Sequence, residues 1–295
     1  MYHNPVLLTD TVKSVITNPS GIYVDVTFGG GGHSREILRN LAPDGRLFAF
    51  DQDSDCPAKE ITDERFQFIP QNFKNIAKWL AYYQCPKVDG IIADLGISSH
   101  QIDTPERGFS YRFAAPLDMR MNTSKEFSAA DVVNDYPPTR LAALFATYGE
   151  VQNAKRLADL TVAARPLATT DQLAAAVAPA LPIGKENKIL SQIFQAIRIE
   201  VNGETEALRQ LLSQSVQLLK SGGRIAILSY HSIEDRLVKN FFKAGNFEGE
   251  IEKDFYGNPL TPFKVITRKP VLPTDEETAE NPRARSAKLR VAEKI

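Results

Sequence analysis

Four consecutive glycines, Gly29–Gly32, separate a short apolar run, Ile22–Val26, from a stretch with helical periodicity, Ser34–Leu41. A turn without side chains lets backbone press against a ligand at the carboxyl end of a strand, where open α/β sheets bind theirs. A second apolar run, Arg46–Phe50, leads into Asp51, 51 − 32 = 19 residues beyond the last glycine. An acid at that spacing is placed to grip two ribose hydroxyls. Together the turn and the acid outline a cradle for a nucleoside cofactor.

The neighbouring residues narrow the choice of nucleoside. A phosphate-binding loop would end in Gly-Lys-Ser/Thr, whereas His33-Ser34 follows here. The dinucleotide pattern G-x-G-x-x-G aligns on Gly29 and Gly31 but puts Ser34 where its third glycine belongs. S-adenosylmethionine carries an ammonium, a carboxylate and a sulfonium but no phosphate. An acid just before the glycines, as Asp25 is, then attracts rather than repels. Loop amides can meet the cofactor's carboxylate as helix N-termini meet anions. A nicotinamide oxidoreductase and a glycine-rich turn without any ligand remain open from the loop alone.

Bulk properties limit the rest. A net charge of −1 gives no global field for nucleic acid, so any RNA contact must be a local cationic patch. Two cysteines, Cys56 and Cys85, suit a reducing cytoplasm, and four scattered histidines make no metal-ligand spacing with them. No apolar run approaches the roughly 18 residues of a membrane span, and Met1–Val6 lacks the basic start and apolar core of a signal peptide. A cytoplasmic protein with neither metal nor membrane anchor is expected.

Apolar strands Ile22–Val26, Arg46–Phe50, Gln67–Ile69 and Val88–Ala93 alternate with helical stretches such as Asn75–Tyr83, the pattern of a parallel sheet with crossover helices. From about Asp103 to Gln192 strands give way to proline-broken helical stretches, Leu141–Ala146 and Gln172–Ala180 among them. The pattern then resumes. Leu208, Leu211, Leu212, Val216 and Leu219 form one helix face that Gly222-Gly223 is expected to end. Arg224–Leu228 reads as a buried strand and Phe263–Thr267 as a final antiparallel edge strand. Asp275–Glu280 and Arg283–Arg290 read as a charged tail. The expected division is 1–102 with 197–295 for the sheet domain and 103–196 for an inserted helical domain.

Longer motifs carry a resemblance over essentially the whole chain. Met1-Tyr-His-Asn-Pro-Val-Leu-Leu8, Val24-Asp-Val-Thr-Phe-Gly-Gly-Gly-Gly-His-Ser34, Asp94-Leu-Gly-Ile-Ser-Ser99, Pro105-Glu-Arg-Gly-Phe109, Pro116-Leu-Asp-Met-Arg-Met121, Gln195-Ala-Ile-Arg-Ile-Glu-Val-Asn202, Ser229-Tyr-His-Ser-Ile-Glu-Asp-Arg236 and Asn281-Pro-Arg-Ala-Arg-Ser-Ala-Lys-Leu-Arg290 occur in that order. Together they closely resemble the bacterial 16S rRNA cytosine-N4 methyltransferase family (RsmH, or MraW). The resemblance implies a Rossmann-like class I methyltransferase sheet with an inserted all-helical substrate-recognition domain. It implies S-adenosyl-L-methionine as cofactor and, as partner, 16S rRNA of the small ribosomal subunit, methylated at a decoding-centre cytidine. It also allows a homodimer. By matching motifs, Gly31, Gly32 and His33 fall on the cofactor loop, Asp51 on the ribose acid, Phe73 on the adenine-packing residue, and Asp94 and Gln101 on the remaining cofactor contacts. The chain departs from the family at His100, Ala115 and Asn122, where a proline, an acid and an aspartate are expected.

The chemistry asks for little covalent machinery. The exocyclic N4 of cytosine is a poor nucleophile, and direct in-line transfer needs placement and acceptors for its hydrogens. Asp94, closing the fourth strand, is the expected acceptor, with a capping role as the alternative. Ser229, Tyr230 and His231 follow the next strand and are expected to wall the pocket, His231 touching the base edge or only capping its helix. Arg198 and Asn202, with Arg107, Arg283 and Arg285, are the expected RNA-side contacts, against a purely structural or solvated role. A carbon-5 methyltransferase would need a cysteine nucleophile; Cys85 precedes the fourth strand at its far end from the cofactor, Cys56 follows Asp51 in a surface-like segment, and both read as structural.

Overall fold

The computed structural model describes residues 5–295; His3 and the Met1–Asn4 part of the first motif lie outside the described residues. The chain divides into two compact units, Met1–Gly96 with Thr205–Ile295, and Ile97–Glu204. The second is wider than the 103–196 read from the sequence.

In the first unit, α1 (Leu8–Val15) precedes β1 (Ile22–Asp25), α2 (Gly32–Asn40), β2 (Arg46–Phe50), β3 (Phe66–Ile69), α3 (Ile76–Tyr82) and β4 (Val88–Asp94). The second unit holds α4 (Ser99–Asp103), α5 (Ala129–Asp135), α6 (Pro138–Gly149), α7 (Ala154–Ala163), α8 (Thr170–Val177) and α9 (Glu186–Asn202). The chain continues through α10 (Glu204–Leu218), β5 (Leu219–Ser229), α11 (Ser232–Ala244), β6 (Phe263–Val265), α12 (Asp275–Glu280) and β7 (Lys288–Lys294).

The sheet runs β3-β2-β1-β4-β5-β7-β6. Its first five strands are parallel, and β7 is antiparallel to both β5 and β6. Strands β1 and β4 read as nearly unbroken apolar runs because helices cover both faces of such a sheet. Val24, Ile91, Ile92, Ala226 and Leu228 are buried accordingly. The order reverses beside β1: the chain steps outward to β2 and β3, then returns to β4 on the other side. Ligands bind at such a switch point, in the crevice beyond the carboxyl ends of the strands.

Two expectations are corrected. The helix read as ending at Gly222-Gly223 stops at Leu218, and the glycines lie inside β5. There the register jumps from Val88↔Leu219 to Gly90↔Arg224, so the extra residues bulge out, with Gly222 at φ 77°. The charged tail is not a tail. Lys288–Lys294 is a strand between β5 and β6, with Leu289 and Val291 buried and Lys288 and Arg290 paired with Asp235. The Arg290 guanidinium forks onto Asp235 at 2.6 and 3.2 Å and holds that carboxyl below its ordinary range, against the upward push of burial.

The helical unit has a core of its own, including Leu117, Met119, Val132, Phe145, Leu157, Leu173 and Ile197. Three of its helices, α4, α5 and α8, begin on side-chain caps: Ser98 with Gln101, Ser128 with Asp131, and Thr169 with Gln172 each form a reciprocal capping box.

Candidate active site

At the carboxyl edge of the sheet the glycine turn is held from both sides. Gly31, at φ 77°, would bring a Cβ within 2.6 Å of the Phe28 ring, and a Cβ on Gly32 would fall 2.0 Å from Pro5 Cγ. Both positions therefore need glycine for the turn's own packing, before any ligand is considered. Asp51 pins the turn: its Oδ2 accepts the Gly29 amide at 2.7 Å and its Oδ1 the Asp53 amide at 2.9 Å. Burial raises the Asp51 carboxyl to about 6, the two amides opposing that rise.

Asp25 ends β1 fully buried, accepting Ser34 Oγ at 2.7 Å and the Thr27 amide at 3.1 Å. Burial raises its pKa, and the nearby His33 opposes that rise. Burial in turn lowers the pKa of His33, with Asp25 opposing. His33 Nδ1 stands 3.8 Å from Asp94 Oδ2, and its buried Nε2 has no hydrogen-bond partner among the described residues.

Asp94 ends β4 and keeps 24% of its side-chain surface. Its amide donates to Thr27 Oγ1 at 2.6 Å, and its Oδ1 accepts the Tyr230 hydroxyl at 2.7 Å. Burial raises its carboxyl to about 7 although the Tyr230 hydrogen bond pulls the other way. Glu234 anchors the tyrosine from behind, its Oε2 accepting the Tyr230 amide at 3.0 Å, while its Oε1 lies 3.2 Å from His231 Nε2. Phe73 opens a short turn after β3, where Asn72 Oδ1 accepts the Lys74 amide.

This edge suits a ligand that is cationic and hydroxyl-bearing. Three acids held above their ordinary range, beside a His33 Nε2 without a hydrogen-bond partner among the described residues, would disfavour phosphate but accept hydrogen bonds from an ammonium or a ribose.

The structure redirects several of the expected ligand contacts. Ser229 is buried, with its hydroxyl toward the Lys288 carbonyl at 3.4 Å, so it serves the sheet. In the helical unit Arg107 is buried and donates to the carbonyls of Arg120 and Met121. Asn202 grips the same loop, accepting the Met121 amide at 2.8 Å and donating to Met119 O at 2.8 Å. Arg198 forks onto Glu204 at 2.8 and 2.9 Å. All three side chains are thus engaged in hydrogen bonds or an ion pair within the helical unit. The Gln101 side-chain oxygen caps α4 by accepting the Ser98 amide. Arg283 and Arg285 are exposed on the turn before β7. The residue the sequence reading missed is Glu234; its place three after His231 on a helix start was the available signal.

A family model described as the MraW methylase family matches residues 1–295. The chain belongs to that family. Among its MraW relatives, the Ribosomal RNA small subunit methyltransferase H of Flavobacterium johnsoniae is 57% identical over 297 residues, covering 100% of this chain and 98% of the relative. The enzyme of the same name from Cytophaga hutchinsonii is 55% identical over 299 residues, with both chains fully covered. Among solved structures, TrmN from Thermus thermophilus aligns with a TM-score of 0.44 and 12% identity, over 98% of this chain and 48% of that one. That likeness is too slight to bear on the site.

Proposed function

We propose that this MraW-family methyltransferase transfers the methyl group of S-adenosylmethionine to the exocyclic N4 of a cytidine in 16S rRNA, at the decoding centre of the small subunit. The observation that carries this reading is Asp94, a carboxylate raised to about 7 at the switch point of the sheet and held in place by Tyr230. The cofactor supplies an electrophilic methyl on a sulfonium. Gly31, Gly32 and His33 would hold its amino-acid end, Asp51 its ribose and Phe73 its adenine. Asp94 then accepts hydrogen bonds from the N4 amine and turns it toward the methyl. As N4 gains a carbon it becomes acidic, and a carboxylate with a pKa near neutrality is matched to take up its proton.

Nitrogen is favoured over carbon as the acceptor by the thiols. Burial pushes Cys56 up to about 11, which leaves no thiolate near neutrality. Cys85 is buried before β4, with its sulfur 3.9 Å from an Arg46 nitrogen at the start of β2, so it belongs to the opposite sheet edge. A covalent route through carbon 5 therefore lacks its nucleophile.

A target base must leave its stack to enter such a site. We assign recognition of the surrounding RNA to the helical unit, Ile97–Glu204, and to the exposed Arg283 and Arg285, with His231 beside the base. The test is transfer of a tritiated methyl group from S-adenosylmethionine to small subunits lacking the modification, followed by nucleoside mapping. Label in N4-methylcytidine is expected. Label at carbon 5, or none, would overturn the reading.

A further inference from the structure

Between α11 and β6 a hairpin spanning 246–262 stands out from the sheet with two aromatic rings at its tip. Phe255 is 97% exposed and Tyr256 85%, their rings edge to face at 5.6 Å; Leu260 follows at 56%. Large apolar side chains this exposed, and side by side, mark an interaction site. The tip is built to present them. Asp254 Oδ1 accepts the amides of Tyr256 and Asn258 at 2.9 and 2.8 Å, and its Oδ2 accepts Asn258 Nδ2 at 3.0 Å. Backbone bonds from Asp254 to Asn258 and from Leu260 to Glu252, with a bridge between Lys253 and Pro259, close the hairpin below. Its root is tied by Asn246 Oδ1 to the amides of Gly249 and Glu250.

Two observations say what covers it. The first is position. β6 enters the sheet with Phe263 opposite Lys294, and Glu293 next to it lies opposite Arg224, at the start of the paired part of β5. Asp94 lies opposite Leu228, four residues further along, or about 13 Å at strand rise. The hairpin therefore leaves from the edge opposite the glycine turn. The second is charge. Within 246–262, Glu248, Glu250, Glu252 and Asp254 stand against Lys253, and the three glutamates are exposed; at the root further cations meet the hairpin, Lys243 Nζ at Gly249 O and Arg209 over the Phe247 ring. Carboxylates beside the rings repel phosphates and attract Lys and Arg.

We propose that the 246–262 hairpin docks the enzyme on a cationic protein surface of the small ribosomal subunit, its aromatic tip seated in an apolar recess and its glutamates facing Lys or Arg. This rests on the small subunit being the substrate particle. Proteins that neutralise an RNA polyanion carry Lys and Arg in excess, and those cations that do not meet phosphate offer the surface such a hairpin fits. Docking at this edge would leave the opposite edge, with the site, directed at the RNA.

A photo-crosslinking benzophenone amino acid replacing Phe255, illuminated in the presence of purified small subunits, tests the assignment. Adducts to a small-subunit protein are expected. Adducts to rRNA or to a second copy of this chain, or no adduct, would overturn it. The double variant F255S/Y256S is expected to bind small subunits about tenfold more weakly, as loss of aromatic anchors does, with S-adenosylmethionine affinity unchanged as the control for folding. Equal binding by variant and parent would also overturn it. Failure of the parent protein to methylate small subunits at all would instead overturn the functional reading beneath it.

Discussion

Replacing Asp94 by Asn should make the protein more stable and less active, and the gain should depend on pH in a definite way. In the folded protein burial lifts the Asp94 carboxyl from 3.8 to about 7. Between those values the folded state keeps a proton that the unfolded chain has released. Stability therefore falls as pH rises through this window, by about 1.4 kcal/mol per pH unit, and levels off above 7. Summed over the window, ionising Asp94 costs the fold about 4 kcal/mol at pH 8. That is a ceiling, because the side chain keeps 24% of its surface in solvent. Asparagine preserves the shape and still offers an oxygen to the Tyr230 hydroxyl, but never ionises. Urea unfolding of D94N and the parent, without added cofactor, should give nearly equal stabilities at pH 4. The curves should diverge steadily to pH 7, with the variant ahead by a few kcal/mol at pH 8. Asp51 titrates alike in both proteins and cancels in the difference, whereas Asp25, whose pKa the Asp94 charge helps to raise, is relieved in the variant and adds to the divergence in the same direction. Parallel stability curves from pH 4 to 8 would refute the claim that Asp94 is a strained acid. Full methyl transfer by D94N would refute its role as proton acceptor.

Tyr230→Phe removes the hydrogen bond that favours the ionised Asp94, so the acid limb of the methyl-transfer pH profile should move to higher pH, with activity recovering above pH 8; an unmoved limb would separate Tyr230 from Asp94. Asn202→Ala strips the 118–121 loop of two buried hydrogen bonds and should cost about 2–4 kcal/mol, seen as a lower urea midpoint. Its effect should be on stability rather than on binding of an isolated RNA fragment at low temperature. Gly31→Ala forces a side chain into φ 77° and onto Phe28, so calorimetry should find S-adenosylmethionine affinity lost before global unfolding does, the strain being confined to the turn.

The parallel half of the sheet was legible because its strands are apolar runs bounded by glycine and proline, and Asp51 and Asp94 could be placed as the residues that end such runs. β7 was not. In Lys288-Leu-Arg-Val-Ala-Glu-Lys294 the charges dominate the composition, while the buried members appear only as an alternation with Leu289 and Val291. Arg290 looks like a solvated cation until Asp235, 55 residues away, is brought to it. The same holds for the helical unit. Asn202 and Arg107 sit in motifs that suggest ligand contact, and folding also hydrogen-bonds both to the 119–121 loop, Asn202 across 81 residues of chain. Sequence spacing shows which residues are chemically capable; it does not show which of them the backbone has already satisfied.

The direction in which the acids are shifted separates the two kinds. Asp63 is held at about 2 by its fork onto Arg65, and Asp118 and Asp131 are held low by partners within three residues or by a cap. These carboxylates are ordinary: folding gives each a donor, and the charged form gains. Asp25, Asp51 and Asp94 are pushed the opposite way by burial, all at one sheet edge, beside His33, whose buried Nε2 has no hydrogen-bond partner among the described residues. Random burial would scatter such costs over the fold. Their concentration where β1 and β4 part fits a ligand-binding edge, and a ligand bringing an ammonium, ribose hydroxyls and a base amine offers further donors to each. On this reading the edge is unstable when empty because it is complementary to what fills it.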